Sequence, residues 1–214
     1  MATKSKKQGA SRTTWIVAGV VIGVVAIAGI VAVASNKGGG SSSATGQTQS
    51  VQVVGTALPT YDQAASPDPA VGLTAPTLKG SSFDGTPITI APGGTPRLVV
   101  FVAHWCPHCQ REVPVLVDWL KSGVKPANLQ VSLVSTSVTA DRPNYPPSQW
   151  LQQVGWPGVV LADDAQGTAG EAYGLSSFPY MVLTGTDGKV LLRMSGEITV
   201  ADLEKAIQAA IPAT

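Results

Sequence analysis

The chain has 214 residues and a net charge of +1, and only 13% of its residues are charged. So small a charge excludes the basic surface that binding to nucleic acid requires, and no nucleic-acid partner is expected. With 23 glycines and 16 prolines, the length suits one folded domain with loops and linkers attached.

Residues 1–14 hold Lys4, Lys6, Lys7 and Arg12 and no acid. Residues 15–34 carry no charge and are mostly Val, Ile, Ala and Gly. At ~1.5 Å per residue, about 20 such residues match the ~30 Å hydrocarbon core of a bilayer. The basic flank places residues 1–14 in the cytoplasm and the rest of the chain beyond the membrane. Ala32-Val33-Ala34 offers the competing reading of a cleaved signal sequence. The apolar stretch exceeds the roughly 7–15 residues of a signal core, so a single-pass anchor is expected at the cell membrane. Either way the two cysteines of the chain lie outside the cytoplasm, where disulfides persist.

Residues 35–70 read as a flexible linker and lead-in: Gly, Ser, Thr and Gln through residue 50, a β-prone piece at 51–54, then an irregular stretch. The folded domain is expected over 71–214, starting somewhere between 51 and 71. Thr77-Leu78-Lys79 and Pro87-Ile88-Thr89-Ile90 flank Asp84-Gly85, a hairpin signal. The apolar run 98–102 reads as a buried strand. It leads into Trp105-Cys106-Pro107-His108-Cys109 and then a helix with Val113, Leu116, Val117 and Leu120 at helical spacing, kinked at Pro114. Strands follow near 129–138 and 159–161, with a proline-rich loop over 139–147 and a short helix over 149–154 capped by Ser148. A second short helix runs to Gly174. Thr186-Asp187-Gly188-Lys189 joins two strands in a hairpin, and Thr199 to Asp202 forms a capping box for a last helix with Leu203, Ile207 and Ala210 on its buried face. Strands alternating with helices imply an α/β fold.

The Cys-x-x-Cys pair carries the chemistry. At the start of a helix it can close and reopen a small disulfide ring, and the positive end of the helix stabilises negative charge on sulfur. A strand, then this motif, then a helix is the redox pattern. Structural zinc is the competing use, with His104 and His108, the only histidines, as further ligands. All four candidates crowd into a short segment, whereas zinc sites usually bring two separated pairs. A structural disulfide is a second alternative, and its short loop would contribute little. No metal is expected, and no cofactor beyond a redox-active Cys106–Cys109 disulfide.

These residues resemble the thioredoxin superfamily, and more closely the membrane-tethered TlpA/ResA-like thiol–disulfide oxidoreductases. The resemblance runs from Val71 to Ile211. It rests on the segment Val71 to Pro76, Asp84-Gly85, the Cys-Pro-His-Cys motif, Pro114, Tyr173-Gly174-Leu175, Phe178-Pro179, Asp187-Gly188-Lys189-Val190 and Gly196. It implies a thioredoxin-like mixed β-sheet flanked by helices, here preceded by one transmembrane helix. It also implies exchange of disulfides with protein clients, recycled by a membrane-bound redox partner. Cys106 is then the attacking sulfur and Cys109 the resolving one. Phe178–Pro179 is a cis bond facing Cys106, and the Phe178 backbone pairs with an extended client segment. Glu112 is an acid close to the cysteines, able to take the Cys109 proton. Trp105 packs beside the site, and His104 is a rim residue.

The Pro-His dipeptide between the cysteines resembles that of DsbA-type proteins. Pro107 and His108 in that pattern incline the couple toward an oxidant or isomerase, through a His108 that stabilises the Cys106 thiolate. Val100 stands where thioredoxin has a buried aspartate, which leaves Glu112 as the candidate proton acceptor. Trp119, Trp150 and Trp156 are expected in packing roles. The reading in a different class is non-enzymatic: a metallochaperone or a redox-inert thioredoxin-fold adaptor.

Overall fold

The computed structural model describes residues 46–211. The expected anchor at 15–34 lies outside the described residues. Among those described, no helix is long and apolar enough to cross a membrane.

Eight strands form one mixed sheet: β1 (Gln52–Val54), β2 (Thr77–Ser81), β3 (Pro87–Ile90), β4 (Arg97–Val102), β5 (Gln130–Ser135), β6 (Val159–Ala162), β7 (Tyr180–Thr184) and β8 (Val190–Ser195). Among the described residues four helices accompany them: α1 (Pro107–Ser122), α2 (Pro147–Gln153), α3 (Thr168–Ala172) and α4 (Val200–Ala210). The strand order is β1-β2-β6-β5-β4-β7-β8, with β3 paired to β2. β4 runs parallel to β5 and antiparallel to β7, and β5 runs parallel to β6. The family resemblance thus holds at the level of a thioredoxin-like α/β fold.

The central strand explains the two layers. In β4, Leu98, Val100 and Val102 face one apolar cluster and Val99 and Phe101 the other, and all five are wholly buried. Successive side chains of a strand point to opposite faces, so a continuous apolar run marks a strand covered on both sides. The first cluster takes Val113, Leu116 and Val117 from α1, Trp150 and Leu151 from α2, and Leu203 and Ile207 from α4. The second takes Ala169, Ala172 and Tyr173 around α3, Leu78 and Ile90 from the β2–β3 hairpin, and Leu58 and Ala70.

The last observation moves a boundary. Residues 52–70, expected in the lead-in, belong to the fold. β1 pairs with β2 in the register Gln52↔Lys79 to Val54↔Thr77. The Leu58 amide donates to the Ala172 carbonyl at 2.9 Å, and that of Tyr61 to Gly174 at 2.8 Å. Buried Leu58 and Ala70 help to seat a segment whose prolines conceal any periodicity.

Other expectations fare unevenly. The Asp84-Gly85 and Asp187-Gly188 hairpins form, and Thr199 accepts a hydrogen bond from the Asp202 amide at 3.2 Å. Ala210 is only half-buried. Ser148 is not the cap of α2. That helix starts at Pro147 with Pro146 before it, a proline suiting the first helical position, and the Ser148 amide goes to the Gln47 side chain at 3.0 Å. Pro114 sits inside α1 without ending it.

Candidate active site

β4 delivers the chain to Ala103, and a tight turn closes with the Cys106 amide on the Ala103 carbonyl at 3.0 Å. Cys106 is the residue before α1, with extended backbone (φ −75°, ψ 120°), and Pro107 opens the helix. Proline there needs no N–H partner and presets the helical φ. Cys109 falls in the first turn. Both cysteines are free thiols, and both are buried, Cys106 with a small exposed surface and Cys109 with none. Burial, reinforced by the neighbouring Cys106 and Glu112, pushes the Cys109 thiol far above the ordinary cysteine range. Cys109 is thus set up as a thiol that gives up its proton only to a nearby base.

Glu112 is a carboxylate whose charge acts on Cys109. It is almost fully buried, its Oε2 accepts from the Ile198 amide at 3.2 Å, and its buried Oε1 has no partner. Burial raises its pKa from 4.5 to about 6; the Ile198 hydrogen bond opposes this and the charge of Glu197 adds to it. Its burial sets it apart from a solvated surface glutamate.

His108 departs from the expectation. Its Nδ1 contacts Glu197 Oε1 at 2.6 Å, and Arg111 reaches the same carboxylate with Nη2 at 2.6 Å. The imidazole is mostly exposed, and its Nδ1 is engaged by an acid. These contacts hold the Glu197 carboxyl well below its usual range, at about 2, through Arg111 first and His108 second.

His104, expected at the rim, is completely buried. Its Nδ1 faces the Pro143 carbonyl at 2.7 Å, and its Nε2 accepts from the Thr139 amide at 3.2 Å. That pair of contacts requires a neutral ring with the proton on Nδ1, in keeping with a pKa lowered by burial. Asn144 and Gln110 side chains both donate to the His104 carbonyl, at 3.2 and 3.1 Å. His104 therefore clamps the loop after β5.

The rim is aromatic. Trp105 donates Nε1 to the Ser137 carbonyl at 2.7 Å and meets Phe178 edge-on, with ring centroids 6.1 Å apart. Arg142 lies over the Trp105 ring at 5.7 Å. The Phe178–Pro179 bond is cis, and Pro179 is buried. Its carbonyl accepts from the Gly196 amide at 2.9 Å, where φ is +91°, a conformation that suits glycine. Trp119 and Trp150 are core residues as expected.

Arg111, Ser137, Arg142 and Glu197 escaped sequence reasoning. Arg111 had a findable signal, since three residues after His108 lie on the same side of a helix. Glu197 had none, because it comes from 86 residues further along the chain.

Residues 93–190 match the family described as thioredoxin-like. Zebrafish (Danio rerio) nucleoredoxin is 31% identical over 96 residues, 44% of this chain and 22% of that protein. The thiol:disulfide interchange protein DsbE of Pseudomonas aeruginosa is 26% identical over 146 residues, 68% of each. A crystal structure from Chlorobium tepidum, assigned as a thiol:disulfide interchange protein DsbE, superimposes with a TM-score of 0.54 at 28% identity, over 65% of this chain and 96% of that one.

Proposed function

We propose that this chain, whose folded part belongs to the thioredoxin superfamily, is an extracytoplasmic thiol–disulfide oxidoreductase acting on protein clients. The observation that carries the reading is the asymmetry of the cysteine pair. Cys106 stands before the helix with some exposure, and Cys109 lies one turn deeper beside a buried carboxylate.

In the reducing direction the Cys106 thiolate attacks one sulfur of a client disulfide. The client S–S bond breaks, its second sulfur leaves as a thiolate, and a Cys106–client mixed disulfide forms. Glu112 takes the proton of Cys109, whose thiolate attacks the Cys106 sulfur. The client sulfur bonded to Cys106 then leaves as a thiolate, so the client has gained two electrons and Cys106–Cys109 is the disulfide. The oxidising direction runs the same steps in reverse. The Cys-Pro-His-Cys pattern and the helix N-terminus favour the oxidant or isomerase direction, since each stabilises the dithiol form. Phe178, beside the buried cis Pro179, offers its backbone to an extended client strand, and the Trp105–Phe178 edge provides apolar contact. Residues 15–34 tether the domain to the cell membrane, where a membrane-bound redox partner recycles the pair.

Cys109→Ser removes the resolving sulfur and is expected to accumulate client proteins covalently held through Cys106. Cys106→Ser is expected to hold few. Non-reducing electrophoresis reads both, and equal trapping by the two variants would reverse or abolish the assignment.

A further inference from the structure

We propose that the turn of residues 196–198 tunes the redox couple, with Glu197 as a positioning residue that holds His108 and Arg111 and offsets the Arg111 positive charge near Cys106. The proposal rests on the reading of Cys106 and Cys109 as an exchanging pair.

Three consecutive residues touch three separate parts of the site. The Gly196 amide donates to the carbonyl of Pro179. The Glu197 carboxylate accepts from Arg111 Nη2 at 2.6 Å and from Arg111 Nε at 3.1 Å to each oxygen, and Nδ1 of His108 lies 2.6 Å from Oε1. The Ile198 amide donates to Oε2 of the buried Glu112. One turn thus ties together the proline loop, His108 between the cysteines and the acid behind them.

Stability does not account for this cluster. The side chains of His108, Arg111 and Glu197 are 59%, 56% and 37% exposed. Ion pairs so open to water contribute little to folding. Their position gives them another consequence. His108 lies between the two cysteines, Arg111 follows two residues after the second, and Arg111 is itself influenced by charge on Cys106. A cation near Cys106 stabilises its thiolate and so the dithiol form. An acid paired with that cation works in the opposite sense. Glu197 therefore draws the couple toward reducing behaviour and limits the oxidant bias of the Cys-Pro-His-Cys pattern.

The test equilibrates the full chain with reduced and oxidised glutathione. Glu197→Gln keeps a hydrogen-bonding side chain but removes the charge, and frees the His108 ring. It is expected to shift the equilibrium toward the dithiol by about three- to tenfold, which for a two-electron couple is about 15–30 mV toward a more oxidising potential. Arg111→Gln is expected to shift it the opposite way. Both shifts should shrink as salt is raised to about 1 M, because exposed charges are screened. Opposite signs from two neighbouring variants are a signature of charge that a merely structural role would not produce. No shift in Glu197→Gln, or shifts of the same sign in both, would overturn the proposal while leaving the exchange reaction standing. A wild-type chain that fails to equilibrate with glutathione at all would instead sink the oxidoreductase reading, and this one with it.

Discussion

Glu112 keeps one carboxylate oxygen on the Ile198 amide and leaves the other buried without a partner. Such an arrangement costs stability and is retained where the group has work to do. With a folded-state pKa raised to about 6 from 4.5, the protonated acid is the form that suits the folded site. Its stabilising contribution is fully present below the unfolded-state value and is lost as pH rises through the folded one. The difference corresponds to about 2 kcal/mol at pH 7. Glu112→Gln should therefore be more stable than wild type at pH 7 by up to that amount and should lose the pH dependence between 4.5 and 6, as urea titrations at several pH values would read. The same variant should exchange disulfides more slowly, because Cys109 has lost its proton acceptor. A variant that is less stable at neutral pH would show that the buried carboxylate is not strained. The helical spacing from Cys109 made Glu112 legible as a candidate; its burial was not, because it depends on α4 and the turn before it closing over α1.

Among the elements, the segment ahead of β2 shows how an irregular stretch is held. Asp68 forms a two-pronged ion pair with Arg193 of β8, whose side chain is fully buried. Arg193 also donates to the Pro59 carbonyl at 2.6 Å and the Tyr180 hydroxyl at 3.2 Å. Close approach completes the seat: a Cβ at Gly174 would stand 2.3 Å from the Pro59 carbonyl oxygen, so only glycine fits there. Removing one partner of a buried pair leaves the other charge without compensation, typically costing about 3–5 kcal/mol. Asp68→Ala is thus expected to destabilise the domain by roughly 3 kcal/mol, the lower end because Asp68 is partly exposed. It should also speed proteolysis within residues 52–70. An unchanged urea midpoint would mean that the segment is seated by its apolar anchors alone.

At the scale of the whole molecule, the expected tether and the folded domain make separate predictions. Protease added to intact cells is expected to release the domain while leaving the apolar segment 15–34 in the membrane fraction. A soluble extracellular form starting at Ser35 would favour the cleaved signal sequence instead. Within the folded part, short-range grammar was readable from residues alone. The β4 run, the two Asp-Gly hairpins, the Thr199 cap and the apolar stripe of α1 each depend on neighbours a few positions apart, so the local pattern determined them. The cysteine pair was readable for the same reason. Tertiary structure alone decided where His108 points, that His104 is an internal clamp rather than a rim residue, and that residues 52–70 join the core. Each of these rests on a partner 35 or more residues distant along the chain or on a face closed by another element, apart from the Gln52–Val54 strand, whose partner lies nearer. Hydrogen bonds and burial of that kind arise only once the sheet has brought remote segments together, and no local periodicity encodes them.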